Sequence, residues 1–326
     1  MSQSVRHLPI GLYGAVMGLA GLALAVRAAA PLFPGVVRAP AYLSEPWVLI
    51  AALALAVLLP AYLWKLVRYP ALVREEFSSP AQMGFCAALP LGLTLAAGGL
   101  APYLPGIADA LWWAGVLLLL AFQVWGIVRI LRGGMRLDEI NAGWMILFVG
   151  GIVVPGSGIA LGHHEVSRFT YGIGVAATPL VMGLLLFRAA VGPALPEALR
   201  PSWFILLVAP ALVYAHSSAF YENFAFFENL FFFGVLLAVA LLVYARGLLA
   251  WPFGAAWWAF TFPLDAFAYA ATRYAQNHPD ALWKVVAAAA LALAALFVTV
   301  TLARTLVALA RGALLVPASA GAARAA

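Results

Sequence analysis

The stretch Trp257–Asp265, reading WWAFTFPLD, lies inside an apolar segment long enough to cross a membrane and carries a proline and a carboxylate near its middle. Because Pro263 has no amide hydrogen, the carbonyl of Ala259 loses its helical partner, and we expect the helix to bend there. A carbonyl freed in hydrocarbon must find another partner or face a water-filled cavity. An intramembrane carboxylate such as Asp265 costs about 2.5–3.5 kcal/mol on insertion scales and usually faces the interior of a helix bundle.

One face of this segment is aromatic and acidic. Trp258, Phe262, Asp265 and Tyr269 recur at helical spacing on the same side. This spacing favours a face that looks into a pathway. The alternative, a kinked packing helix whose aromatic rings fill the core, stays open at this point.

The composition is that of a membrane protein. Of the 326 residues, 66% are hydrophobic and only 9% are charged, with a mean hydropathy of +1.02, whereas soluble domains are about a quarter charged. The net charge of +6 indicates no nucleic-acid partner, because the basic residues lie at span ends and report topology. A single cysteine, Cys86, excludes an intrachain disulfide framework and a multi-cysteine metal site. We predict no metal and no cofactor.

Apolar runs of about 20 residues predict an all-α polytopic protein with ten transmembrane helices. Short connections make consecutive helices antiparallel neighbours, giving five hairpins. We treat residues 1–313 as one ten-helix domain and 314–326 as a short cytoplasmic tail. The predicted spans are 8–28, 46–66, 81–101, 107–130, 141–161, 166–189, 201–219, 224–249, 255–275 and 281–310.

The distribution of Lys and Arg predicts the orientation. Five of the 18 basic residues fall on the side opposite the N-terminus, and the remaining 13 share its side. By the positive-inside rule this places both termini in the cytoplasm, in an inner (plasma) membrane. The five are Arg27, Arg38, Arg168, Arg273 and Lys284.

Prolines recur in alternate spans. Pro90, Pro155, Pro210 and Pro263 fall in the third, fifth, seventh and ninth spans, while the first span carries a row of glycines that includes Gly14 and Gly18. This pattern favours an inner ring of Pro-kinked odd-numbered helices around a central pore, with Gly14 and Gly18 as small lining residues, and an outer ring of plain helices. The alternative is that prolines are simply commoner in membrane helices than in soluble ones.

Four stretches resemble the TehA / slow-type anion channel family, also called the tellurite-resistance and dicarboxylate transporters. They occur in family order, and the similarity extends over all ten predicted spans. The stretches are Pro9–Leu22 (PIGLYGAVMGLAGL), Arg74–Pro80 (REEFSSP), Asn141–Trp144 (NAGW) with Gly150–Pro155 (GGIVVP), and Trp257–Leu264 (WWAFTFPL).

The resemblance implies five helical hairpins around a pore and a homotrimer in which each protomer has its own pore. It also implies passive or proton-linked movement of small inorganic or carboxylate anions across the lipid bilayer, with chloride, nitrate, malate, tellurite and sulfite as the range. Phe262 matches the aromatic residue that plugs the family's pore. Asp265, close behind it, departs from an anion-friendly lining and is the candidate proton-coupling residue, so a proton-coupled dicarboxylate carrier remains the alternative.

Anion preference has a predicted origin in helix-end amides and a positive cytoplasmic rim. The rim candidates are Arg68, Arg74, Arg129, Arg132, Arg136 and Arg200.

An intramembrane enzyme is the hypothesis from a different class. Ser157 is preceded by Pro155 and Gly156, so the Gly-x-Ser-Gly pattern of a serine-protease loop is absent. His163, His164 and Glu165 lie together, but adjacent histidines on a helix point about 100° apart and no further ligand is in range. We therefore predict no enzyme and no metal site.

Overall fold

The chain folds into helices. The computed structural model describes residues 5–34, 40–223 and 225–315, and within these ranges it contains no β-strand. The α-helices are α1 (Gly14–Ala29), α2 (Pro40–Arg68), α3 (Pro70–Ser78), α4 (Pro80–Met83), α5 (Ala88–Leu100), α6 (Pro105–Leu131), α7 (Pro155–Gly158), α8 (His164–Val191), α9 (Val208–Ser217), α10 (Glu228–Tyr244), α11 (Thr261–Asn277) and α12 (Ala281–Ala310).

Eight helical segments in the described ranges are long and apolar enough to cross a membrane. They coincide with eight of the predicted spans. The predicted fifth span is a shorter apolar segment, Met145–Gly158, and the ninth consists of Ala255–Ala259 followed by α11. The protein is thus an all-helical polytopic membrane protein, and the count of ten spans stays a prediction. Arg38 and the tail beyond Leu315 lie outside the described residues.

The spanning segments differ sharply in burial. Ile10–Ala29, Pro80–Leu100 and Glu197–Ser217 are 78%, 89% and 78% buried, whereas the other five are only 22–28% buried. Nearly every residue of α11 up to Ala275 is buried as well. The exposed helices present large apolar side chains outward, as a lipid-facing surface requires. The buried helices therefore form the centre of the molecule.

Each buried α-helix follows a segment of different winding. Tighter 3₁₀ turns precede most of them, and a π-helical turn stands before α7. Such irregular winding inside a membrane protein frequently marks a functional region. The segments are Ile10–Tyr13 before α1, Gly84–Ala87 before α5, Met145–Val149 (π) with Gly150–Ile152 before α7, Glu197–Leu207 before α9 and Ala255–Ala259 before α11.

The four prolines lie at the starts of these α-helices. Pro155 is the first residue of α7, and Pro90, Pro210 and Pro263 are each the third residue of their helix. The first amides of these helices donate to the preceding segment, as Ala88 does to the carbonyl oxygen of Phe85 and Val208 to that of Ile205. A proline there removes one bond to that segment at the point where the winding changes. The structure thus differs from the expected kinks within continuous helices, because these prolines begin α-helices where the winding changes.

Candidate functional site

Two cavities lie one after the other in the centre of the bundle. The first cavity has a volume of ≈240 Å³, and the irregular segments that precede the buried helices provide much of its wall, including Ile10, Phe85 and Ala256. The second cavity has a volume of ≈290 Å³ and is lined mainly by α-helical residues of the same elements. Among the residues that the structure describes, Phe262 and Val153 alone line both cavities. An aromatic ring therefore stands between two spaces that together run through the buried centre.

Phe262 is held in place by the helix opposite. It is the second residue of α11, and its side chain is 6% exposed. A Cβ atom built on Gly21 of α1 would lie 2.9 Å from Cδ2 of the Phe262 ring, so the ring packs directly against the backbone of α1. Pro263, the next residue, lines the first cavity. The ring can occupy this position because α1 presents a glycine there.

The glycine row of α1 is the surface on which α11 packs. A Cβ on Gly14 would lie 3.3 Å from Cβ of Trp258, and one on Gly18 only 2.0 Å from Oγ1 of Thr261. Gly14 also lines the first cavity, whereas Gly18 lines neither cavity. Position 18 requires glycine because Thr261 leaves no room for a side chain there. Gly14 both packs against Trp258 and lines the first cavity.

Asp265 projects toward the second cavity without a protein partner. Its side chain is 1% exposed, and neither carboxylate oxygen accepts a hydrogen bond from the described residues. His216 lines the same cavity; its Nδ1 contacts the carbonyl oxygen of Ile152 at 2.9 Å, and its Nε2 is buried without a partner. A buried ionised carboxylate that lacks a donor is strongly unfavourable. Asp265 is therefore a buried acidic group at the second cavity whose charge the described residues do not compensate.

The wall of the second cavity also includes a cationic side chain, that of Arg27. Arg27 donates to Glu45 Oε1 at 3.0 Å and to the carbonyl oxygen of Gly98 at 3.3 Å. The Arg27–Glu45 pair is about one quarter exposed on each side. This end of the passage therefore combines a partly neutralised arginine with the unpartnered Asp265.

A buried ion pair at the first cavity was missed by the sequence reasoning. Glu76 lines that cavity, and its Oε2 accepts from Lys65 Nζ at 2.7 Å and from the Tyr62 hydroxyl at 3.1 Å, while its Oε1 accepts from the amide of Ile10 at 2.6 Å. Lys65 also donates to the carbonyl oxygen of Leu8 at 2.8 Å and is 4% exposed. The lysine that we counted as a topology charge thus neutralises the acidic group nearest the first cavity.

None of the arginines proposed for a positive rim lines either cavity, and three of the six have other partners. Arg200 pairs with Glu197 at 2.9 Å, Arg129 donates to the carbonyl oxygen of Ser78, and Arg136 pairs with Asp138. The hydrogen bond from Arg136 lowers the pKa of the Asp138 carboxyl, so this pair stays charged and cancels. None of the six rim candidates lines the first cavity.

The histidine cluster lies in the connection between the fifth and sixth predicted spans, at the start of α8. His163 Nε2 contacts Asp109 Oδ1, and its ring stacks on Trp112 with centroids 4.5 Å apart. Among the described residues no group of three or more His, Cys, Asp or Glu is placed to hold a metal ion. Ser157 is buried, and its hydroxyl donates to the carbonyl oxygen of Val154 at 3.5 Å.

The fold and the cavities define a polytopic helical membrane protein with two central cavities that share Phe262 in their walls. The model of the voltage-dependent anion channel family (SLAC1) matches residues 7–306. The chain belongs to this family.

Characterised relatives agree with this assignment. The S-type anion channel SLAH3 of Arabidopsis thaliana is 24% identical over 310 residues, which cover 92% of this chain and 48% of that protein. The tellurite resistance protein TehA homolog of Haemophilus influenzae is 26% identical over 270 residues, 82% of this chain and 81% of that protein. The guard cell S-type anion channel SLAC1 of Arabidopsis thaliana is 24% identical over 284 residues, 84% of this chain and 50% of that protein. The chain spans about half the length of these plant relatives.

The resemblance inferred from the four sequence stretches is confirmed. The family is one of anion channels and transporters and not of enzymes, so the enzyme hypothesis is set aside.

Proposed function

We propose that the protein is a passive channel for small anions, with a conduction path that joins the first and second cavities and is closed by the Phe262 ring. The observation that supports this proposal best is the position of Phe262 in the walls of both cavities. A ring in a narrow apolar passage blocks ions by its bulk and by excluding water, and a side-chain rotation opens the passage. The chemical range of the permeant anion is chloride, nitrate and similar inorganic ions, with small dicarboxylates, tellurite and sulfite included.

The proposed architecture is ten spans arranged as five hairpins, with the buried, odd-numbered elements around the path. The division between segments that are 78–89% buried and segments that are 22–28% buried supports an inner and an outer ring. We further propose an inner (plasma) membrane location with both termini in the cytoplasm, on the basis of the Lys and Arg distribution. A homotrimer with one path per protomer is carried over from the family resemblance.

The proposed anion preference arises from backbone dipoles. Helices α1, α5, α9 and α11 begin at the first cavity, because their first or second residues line it. The aligned peptide dipoles of these four α-helices point their positive ends toward the path, while their first amides donate to the preceding 3₁₀ turns, as Gly14 does to Gly11 and Val208 to Ile205. Lys65 cancels the charge of Glu76 in the same wall. The first cavity therefore presents a net favourable field to an anion without a free cationic side chain in its lining.

The decisive experiment compares anion flux through liposomes containing wild-type protein or the Phe262→Ala variant, with chloride, nitrate and malate in turn. Removing the ring should raise flux about tenfold or more for permeant anions, because the steric block is gone. Phe267→Ala is the matched control, since Phe267 lies on the same helix, is 8% exposed and lines neither cavity. Equal flux in wild type and Phe262→Ala, with both folded, would refute the plug.

A proton-coupled dicarboxylate carrier is the second candidate, and one observation favours it. Asp265 holds two buried carboxylate oxygens without protein donors at the wall of the second cavity. A carrier built on Asp265 should accumulate malate against its gradient when a pH gradient is imposed, and Asp265→Asn should abolish accumulation while leaving downhill exchange. Asp138→Asn, on the exposed pair with Arg136, is the matched control. Passive flux unaffected by a pH gradient would instead favour the channel.

A further inference from the structure

A third cavity of ≈400 Å³ lies at the end of α12, away from the passage. Two arginines, Arg304 and Arg311, line it together with Phe253, Val307 and Leu314. The arginines are seven residues apart on the same helix and therefore lie on one face, two turns apart. No carboxylate of the described residues lies within ion-pair distance of either, since neither takes part in a salt bridge there.

Aromatic rings hold the first of these arginines in place. The guanidinium carbon of Arg304 lies 4.1 Å from the centroid of the Trp257 ring and 4.8 Å from that of Phe253. Stacking of this kind fixes the plane of the guanidinium while leaving its N–H groups free to donate. A planar, pre-positioned donor fork suits a phosphate group better than a mobile ammonium does.

A turn after the last residue of α12 forms one wall of the cavity. Gly312 has a φ of +63°, a conformation that glycine adopts without strain. Its amide donates to the carbonyl oxygen of Leu309 at 3.0 Å, and the amide of Ala313 donates to that of Ala308 at 2.8 Å. The chain consequently folds back so that Ala313 and Leu314 become part of the cavity wall. The cavity is thus formed by the helix end and not merely by two surface charges.

The helix surface beside the cavity is lipid-facing. Leu306, Val307 and Leu309 are 57%, 49% and 46% exposed, although all three are large apolar side chains. The basic cavity therefore lies next to an exposed apolar surface of a membrane-spanning helix. A ligand that matches both has an anionic head and a hydrocarbon tail.

We propose that this cavity binds the phosphate group of an anionic phospholipid, with Arg304 and Arg311 as donors and the acyl chain along Val307. Juxtamembrane basic pockets attract anionic lipids in this way. The chain segment after Leu315 is a poorer occupant, because Arg324 is its only charged side chain and it offers no acidic side chain to the two arginines. The proposal does not depend on the channel assignment, since binding is measured without transport.

The test uses native mass spectrometry of the full-length protein in micelles doped with phosphatidylglycerol or with phosphatidylcholine. Wild type should retain phosphatidylglycerol selectively, and Arg311→Gln should reduce retention about fivefold, with a further loss of similar size in Arg304→Gln/Arg311→Gln. Arg311 is exposed, so we expect Arg311→Gln to keep the fold. This single variant therefore tests the proposal even if loss of the Arg304 stacking disturbs the fold of the double variant. Arg304→Lys should retain less lipid than wild type, because a lysine cannot reproduce the planar fork.

The matched control is Arg68→Gln/Arg132→Gln, which removes two exposed arginines from the same predicted side of the membrane. It should retain lipid as wild type does. Unchanged retention in Arg311→Gln, or an equal loss in the control pair, would overturn the proposal. Displacement of the lipid by millimolar inorganic phosphate would show a free-anion site instead, and a change of oligomeric mass in the Arg304/Arg311 variants would show that a second copy of the chain covers this face.

Discussion

Gly21 is the residue on which the position of the proposed plug depends. A methyl group there would lie 2.9 Å from both the Phe262 ring and Oδ2 of Asp265, so the ring or the helix must shift to admit it. We expect Gly21→Ala to leak anions at a rate between those of wild type and Phe262→Ala, as measured by liposome flux. Gly92→Ala is the control, because its nearest neighbour would be at 3.5 Å, an ordinary contact. Wild-type flux in a folded Gly21→Ala protein would contradict this picture of the ring.

At the scale of single residues, the sequence predicted roles for Phe262 and Asp265, which stay predictions, but it did not show what surrounds these two side chains. Phe262 was recognisable because it stands in a specific aromatic–proline motif. That Gly21 faces both side chains could not be read from the sequence, since the register of two packed helices depends on how all their side chains interlock. Lys65 and Glu76 are 11 residues apart, and nothing in their spacing predicts that the turn between α2 and α3 brings them into contact.

The junction of α2 and α3 depends on the Lys65–Glu76 pair. Removing one partner leaves a buried charge without its counterion, so Lys65→Met should lower the free energy of unfolding by about 3–5 kcal/mol. Lys65→Met/Glu76→Gln removes both charges and should recover much of that loss. Denaturant unfolding of the purified protein in micelles measures both values. If the double variant unfolded as easily as Lys65→Met, the loss of stability could not be due to an uncompensated charge on Glu76.

We expect the start of α11 to tolerate replacement of Pro263. Pro263 lies where 3₁₀ winding gives way to α winding, and the backbone there already accommodates a residue without an amide hydrogen, so Pro263→Ala should change the free energy of unfolding by less than about 1 kcal/mol. Ala268→Pro, in the interior of the same helix, should cost about 3 kcal/mol or more. The same unfolding measurement compares them. A large loss in Pro263→Ala would mean that the proline does hold a bend.

At the scale of elements, the apolar runs predicted where most helices lie, and burial then separated them into two sets. The positions of the prolines were visible, but their role was not. A proline is compatible with both a kink and a helix start, and only the preceding segment, such as Ala255–Ala259 before α11, decides between them. Winding of this kind is set by packing around the cavities and leaves little trace in composition.

The proposed orientation places the two cavities on opposite sides of the membrane, and cysteine labelling tests this arrangement of the whole molecule. Cys86, the single native cysteine, is fully buried and should not react in the folded protein. Ala256→Cys in the first cavity should react with a membrane-impermeant thiol reagent only from the cytoplasmic side, and Ala28→Cys in the second cavity only from the outside. Adding Phe262→Ala should admit the reagent from both sides. Labelling of Ala256→Cys from outside alone would reverse the proposed orientation.

For the molecule as a whole, composition fixed the membrane class and the charge distribution predicted its orientation. The division of the passage into two spaces is a property of packing, because residues from five separate stretches of the chain must meet to enclose each one. The arginine cavity at the end of α12 was equally hidden. Arg304 is an ordinary span-end charge in the sequence, and only the fold brings the rings of Phe253 and Trp257 against it.

A change of winding at the junction between the 3₁₀ segment Ala255–Ala259 and α11 would move Phe262 without changing the cross-sectional area of the protein in the bilayer. Transfer of one residue from 3₁₀ to α winding rotates the adjoining side chains by about 20° and alters the length by about 0.5 Å. Trp257 and Trp258 of the 3₁₀ segment are buried and the α-helix that follows is mostly buried, so we expect the lipid-facing helices to keep their places. We then expect the protein to occupy the same area of the bilayer when open and when closed, so that lateral tension would do no work on the transition. Stretching the membrane should leave the open fraction unchanged.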